Sequence, residues 1–151
     1  METNHPILRC ILCFLPKCGI LKKNRGWTPQ GGFLMAFKRK IQSEPTILEH
    51  FKGGEGCVQK WDILKADEMY GKGRVCSIMA LDPGHEVGRH RHEGDGEVFY
   101  ILSGKGKYLL DGELVEVEPG DVLFVDDGEE HYMVNTGEDQ LKYLAIVLFS
   151  K

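Results

Sequence analysis

Two histidines and three carboxylates crowd into "HRHEGDGE", residues 90 to 97, just before the apolar run "VFYIL". Imidazole and carboxylate are the donors that divalent transition metals take from proteins, so His90, His92 and Glu97 are candidate ligands. In a strand alternate side chains share a face, which puts His90 and His92 on one side roughly 6.6 Å apart, with Arg89 and Arg91 opposite. Gly94, Asp95 and Gly96 can reverse the chain, and Glu97 then opens the next strand. Two imidazoles and a carboxylate thereby converge from one hairpin. A further candidate, His131, begins "HYMVN" after "DDGEE". A solvated loop is the plainer reading of any one of these residues, because charged side chains usually face water.

The elements that would hold these donors are short. Helical periodicity is nearly absent after residue 40, and alternating or apolar runs separated by glycine turns predict strands at 57–61, 74–81, 87–92, 97–102, 106–110, 113–117, 122–125, 131–135 and 141–149. Asp111-Gly112 is a two-residue hairpin signal, since such turns need positive φ. Pro119-Gly120 suits a type II turn. The fold class is therefore all-β, with a small barrel or sandwich as the default.

Composition narrows the functional classes. The chain has 151 residues, enough for one domain with a substantial core. No run of 18 or more apolar residues is present, so no membrane-spanning helix is expected. Residues 1–40 carry eight Lys/Arg against one acid, whereas residues 41–151 hold 11 basic and 22 acidic residues. An acidic body argues against nucleic acid as a partner. Met35, followed by "AFKRKIQSEPTILEHF", reads like an ordinary protein start, so residues 1–34 are expected to form an N-terminal extension outside a single domain spanning 35–151. Cys10, Cys13 and Cys18 in that extension lack a fourth ligand and read as incidental. Five cysteines in all, with no clear secretion signal, suggest free thiols in a reducing, cytoplasmic setting.

Two longer stretches resemble a known family. "GHEVGRHRHEGDGEVFYILSG", Gly84 to Gly104, matches the first motif of the cupins, G-x5-H-x-H-x4-E-x6-G, at every fixed position. "GDVLFVDDGEEHYMVN", Gly120 to Asn135, matches the second, G-x5-P-x-G-x2-H-x3-N, with Asp126 in place of the proline. The resemblance covers about residues 50–150. It implies a six- to eight-stranded jelly-roll β-barrel or double-stranded β-sandwich, with His90, His92, Glu97 and His131 as ligands of one metal and a homodimer as the assembly. Three imidazoles and one carboxylate suit Mn, Fe, Co, Ni, Cu or Zn, and four protein ligands leave a position open for water or a small molecule.

Alternation from Glu97 turns Phe99 and Ile101 inward, with Val98, Tyr100 and Leu102 outward. Alternation from His131 turns Met133 and Asn135 inward. Phe99, Ile101, Met133 and Asn135 are thus candidate pocket walls as well as core. Strand 74–81 can present Arg74 and Cys76 or Val75 and Ser77 inward; an inward Arg74 would favour an anionic substrate. Cys76 reads as a small core residue. His85 and Tyr70 are weak candidates for proton transfer. Two functions fit this pattern: a metal-dependent oxygenase, isomerase or lyase acting on a small oxygenated molecule, or a non-catalytic module that binds or senses a sugar or carboxylate.

Overall fold

The computed structural model describes residues 38–151. The extension expected over residues 1–34, with Cys10, Cys13, Cys18 and the start-like Met35, lies outside the described residues. Among the described residues ten strands form: β1 Thr46–Glu49, β2 Cys57–Leu64, β3 Gly73–Leu81, β4 Glu86–Arg91, β5 Asp95–Ser103, β6 Gly106–Leu110, β7 Glu113–Val117, β8 Val122–Val125, β9 Glu130–Asn135 and β10 Leu141–Phe149. Two short 3-10 turns, Phe51–Gly53 and Ala66–Met69, interrupt the early strands. The nine strands expected from alternation all form. The tenth, β1, is only the four residues "TILE" and owes its strand pairing to β2 alone. β1 and β2 extend one sheet beyond β3, so the strand number exceeds the six to eight implied by family resemblance.

The strands make a sandwich of two antiparallel sheets, ordered β1-β2-β3-β10-β5-β8 and β4-β9-β6-β7. The core lies between them. The six-stranded sheet contributes Met79, Leu81, Phe99, Ile101, Leu141, Tyr143 and Ala145, and the four-stranded sheet Val87, Tyr108, Val117 and Met133. Burial alternates as the period of two requires: along β10, Leu141, Tyr143, Ala145 and Val147 are buried while Lys142 is exposed. The turn chemistry follows the sequence. Asp111 (φ 51) and Gly112 (φ 86) are both left-handed at the β6–β7 hairpin. Gly120 (φ 104) follows Pro119 in a turn closed by Asp121 N–H donating to Glu118 O at 3.1 Å.

One departure from regularity matters for the site. A regular β4 would put Val87 and His90 on opposite faces, because they are three residues apart. Val87 instead pairs with Met133 and His90 with His131, so three steps on β4 meet two on β9. The extra residue is a β-bulge at Gly88-Arg89, and it lets a core valine and a polar donor face the same interior. Gly88 is needed there for another reason. A Cβ on it would come within 2.2 Å of Lys52 O and 2.6 Å of Gly54 N, so the backbone of residues 52–54 packs directly on the bulge.

A candidate metal centre between the sheets

The structure brings His90, His92, Glu97 and His131 together, with their donor atoms all within 4.8 Å of one another. Each arrives from a different part of the sandwich. His90 and His131 are cross-strand partners on β4 and β9, His92 follows the end of β4, and Glu97 reaches in from β5 in the opposite sheet. His131 Nε2 lies at the middle: 3.1 Å from His90 Nε2, 3.2 Å from His92 Nε2 and 3.6 Å from Glu97 Oε2. His92 Nε2 is 3.4 Å from the same carboxylate oxygen. His92, Glu97 and His131 are buried, and His90 is the member that solvent partly reaches.

These contacts fit a cation. His90 Nδ1 is 2.9 Å from Gly88 O, and His92 Nδ1 is 2.6 Å from Asp95 Oδ1. Both acceptors are oxygens, so each Nδ1 carries a proton and each ring aims its Nε2 at the centre, as a free lone pair when the ring is neutral. With those rings neutral, a single proton on His131 Nε2 can satisfy one of the two lone pairs but not both. A divalent ion satisfies all of them at once. Two donors at right angles on a metal about 2.1 Å away stand about 3.0 Å apart, close to the separations seen here.

The charges within the cluster are divided unevenly. Burial pushes His131 down to about 2, with the neighbouring His90 and His92 adding to the effect. Burial also lowers His90, outweighing its bond to Gly88 O. His92 goes the other way: burial opposes its charge, but bonds to Glu97 and Asp95 together raise its pKa. At neutral pH His131 and His90 are therefore free bases, the form a metal needs.

The shift of His131 has a consequence for the metal-free protein. Its folded pKa is depressed, so between about 6.5 and the folded value the unfolded chain binds a proton that the native state refuses. Stability should therefore fall as pH drops, by about 2 kcal/mol from this residue between pH 6.5 and pH 5. His90 acts in the same direction. The raised pKa of His92 contributes stability below about 6.5 that fades as pH climbs through its folded value, and offsets part of the loss. Urea unfolding of chelator-treated protein at pH 7 and pH 5 measures the slope. A flat profile, or one unchanged by His131→Ala, would contradict this reading.

Asp95 is a correction to the sequence reading. It reads there as a turn residue, yet it is 5% exposed and lies between Arg74 Nε and His92 Nδ1, each at 2.6 Å. Burial raises its pKa, but the bonds to Arg74 and His92 win and hold it below the usual carboxylate range. The missed signal is parity, because Asp95 shares a strand face with Glu97, Phe99 and Ile101. Arg74 reaches Asp95 from the rim of the interior face, where a register shift between Val147 and Leu148 interrupts the alternation of β3. Val75, Ser77, Met79 and Leu81 take the interior face of β3, and Arg74 remains 43% exposed at its side chain. Cys76 likewise sits half-buried on the outer face, a free thiol whose pKa burial raises.

Asp95 thus fixes the tautomer and ring orientation of His92, the usual job of a carboxylate behind a metal-binding imidazole. Asp95→Asn is expected to weaken metal binding roughly 10- to 100-fold while leaving the protein folded. Titration of metal into chelated protein checks this, and an unchanged affinity would remove Asp95 from the site.

Of the inward residues, Phe99 packs on His131 with ring centroids 5.2 Å apart, and Ile101 and Met133 are buried beside the same core. Asn135 also faces inward, but its amide is spent on the backbone: Nδ2 donates to Leu81 O and Asp139 O, and Oδ1 accepts from Gly137 N. His85 is engaged with Cys57, and Tyr70 is 69% exposed; neither joins the cluster.

Comparison with known proteins agrees with this architecture. The family profile described as "Cupin domain" matches residues 77–147. The chain is 38% identical over 110 residues to an oxalate-binding protein of Thermotoga maritima, covering 73% of this chain and 91% of that one. It is 28% identical over 116 residues to a glucose-6-phosphate isomerase of Thermococcus gammatolerans, spanning 74% of this chain and 59% of the isomerase. The crystal structure of a predicted oxalate decarboxylase from Thermotoga maritima superposes with a TM-score of 0.70 at 37% identity, covering 74% of this chain and 99% of that one. The two-sheet sandwich, the family profile and a relative matched over nearly its whole length together show that the chain belongs to the cupins.

Proposed function

We propose that His90, His92, Glu97 and His131 hold one divalent transition metal (Mn, Fe, Co, Ni, Cu or Zn), and that the protein binds a small carboxylate at that centre. The observation that carries the proposal is the convergence of three Nε2 atoms and one carboxylate oxygen, with lone pairs facing one another across 3.1 and 3.2 Å. A bound metal supplies Lewis acidity and a fixed point for a ligand with two oxygen donors. The chain supplies the rest. Asp95 and Gly88 O orient two of the rings, and Phe99, Ile101 and Met133, with Asn135 behind them, form walls that keep the interior apolar. Solvent access at His90 marks the side from which a ligand enters. The likeness to an oxalate-binding protein supports a dicarboxylate as that ligand.

Turnover of the ligand is a second reading, favoured by the structural likeness to a predicted oxalate decarboxylase. Converting oxalate and one proton to formate and carbon dioxide needs an acid at the site. Among the described residues, every acid or base within hydrogen-bond distance of the cluster is committed: four as metal donors, and Asp95 to Arg74 and His92. That supports binding over catalysis. Isomerisation by proton transfer would require a group of the same kind.

Protein purified without chelators should carry about one metal per chain by elemental analysis, and calorimetry should then show saturable oxalate binding that vanishes in chelator. Absence of stoichiometric metal after reloading would overturn the proposal. Formate release from oxalate would move the assignment from binding protein to enzyme.

A homodimer belongs to this reading. Tyr100, Leu102, Val122 and Phe124 are 42%, 42%, 67% and 56% exposed on β5 and the edge strand β8, an apolar face of the kind that a second copy covers. Free thiols at Cys57 and Cys76 support a reducing, cytoplasmic setting.

A further inference from the structure

At the open side of the metal cluster stands a lysine whose charge no acid cancels. Lys52 lies in the short turn Phe51–Gly53, exposed, with no carboxylate within ion-pair distance among the described residues. Phe51 meets the His90 ring edge-on at 6.5 Å, and Lys52 Nζ stands 5.9 Å from the Phe51 ring. The turn is pinned in place. A Cβ on Gly54 would meet Gly88 N at 2.7 Å, so the two backbones touch just ahead of His90. The other charges nearby are occupied: Arg74 with Asp95, and Glu86 with the Tyr132 hydroxyl and Glu55 N.

The backbone gives a second, independent reason to look here. Lys52 has φ 57, and His50 before it φ 47, in the left-handed region that a Cβ disfavours. A glycine at 52 would hold the same turn without strain. Strain kept at such a position points to a use for the side chain.

Charge bookkeeping says what that use is. A divalent metal with three neutral imidazoles and one carboxylate carries a net charge of +1. A monocarboxylate brings the centre to zero, whereas a dicarboxylate leaves it at −1 and gains from one more cation. We infer that Lys52 is the specificity residue that makes this site prefer small dianions over monoanions of the same size. The inference rests on the metal-and-dicarboxylate reading above and adds the residue that sets the charge preference.

The test uses metal-loaded full-length protein and two probes that chelate through two oxygens, oxalate (dianion) and glycolate (monoanion). Lys52→Gln is expected to weaken oxalate binding roughly tenfold, with glycolate affinity changed less than about twofold and metal content unchanged. Lys52→Arg should retain the oxalate preference. Lys52→Gly should lose it while melting at the same or a higher temperature, which separates the strain from the function. Equal losses for both probes, or no loss for oxalate, would overturn the role of Lys52 and leave the metal site standing. Wild-type protein that holds metal but binds neither anion would overturn both.

Discussion

Replacing His131 by alanine is expected to remove stoichiometric metal and, with it, the metal-dependent part of thermal stability. Structural four-ligand zinc sites are worth roughly 10–16 kcal/mol of apparent binding energy, and on that scale one ligand carries about 3–4 kcal/mol, or 100- to 1000-fold in affinity. His131 is the member whose loss should cost most. It is 1% exposed, and its Nε2 is the atom about which the other donors gather, at 3.1, 3.2 and 3.6 Å. Metal at 100 times its dissociation constant stabilises the native state by about 2.7 kcal/mol, enough to raise the melting temperature of a small domain by roughly 10 °C. The wild type should show that rise on addition of metal and its reversal by chelator. The His131→Ala protein should melt at one temperature in both. A variant that still gains the full shift would show that the metal sits elsewhere.

Phe99→Ala should produce the largest loss of fold stability among the site residues. The ring is 1% exposed and packs against Tyr108, Tyr143 and His131 with centroids 5.6, 5.7 and 5.2 Å away. Its removal opens a cavity that three aromatic neighbours cannot collapse, costing about 3–5 kcal/mol. That is a large part of the roughly 5–15 kcal/mol available to a domain. The next residue, Tyr100, is 42% exposed, and its alanine variant should cost about 1 kcal/mol or less. Denaturant unfolding of both variants distinguishes the faces of β5, and equal losses would contradict the inward phase of Phe99. Because the same ring buttresses His131, the metal affinity of Phe99→Ala should fall as well, although the residue holds no metal itself.

What the sequence reveals follows from what each signal can encode. Alternation places Phe99, Ile101 and Met133 inward because a strand has one phase and burial selects it. Asp111-Gly112 announces its hairpin because few residue pairs accept two positive φ values. His131 stands 34 residues beyond Glu97, and only the second motif ties it to the first. Other features have no such code. "GDG" reads as a turn, so the sequence opens β5 at Glu97, and Asp95 is lost from the face it shares with that ligand. The bulge at Gly88-Arg89 carries no marker beyond one glycine, although without it Val87 and His90 could not both face inward. Lys52 is hardest of all, because a left-handed lysine is held by the contact of Gly54 with Gly88 and not by any local preference.

The four donors also say when during folding a metal can first be captured. Among the described residues β4 pairs with β9 alone, some forty residues later, and β5, which carries Glu97, is flanked by β8 and β10, both further along the chain than the β4–β5 corner. No early hairpin contains a finished site. The β4–β5 corner carries three of the four donors, and the fourth, His131, joins them only when β9 pairs with β4, after the long loop between them has closed. In a refolding experiment, capture of metal at full four-donor affinity would act as a clock for the β4–β9 pairing, lagging behind the first appearance of strand signal.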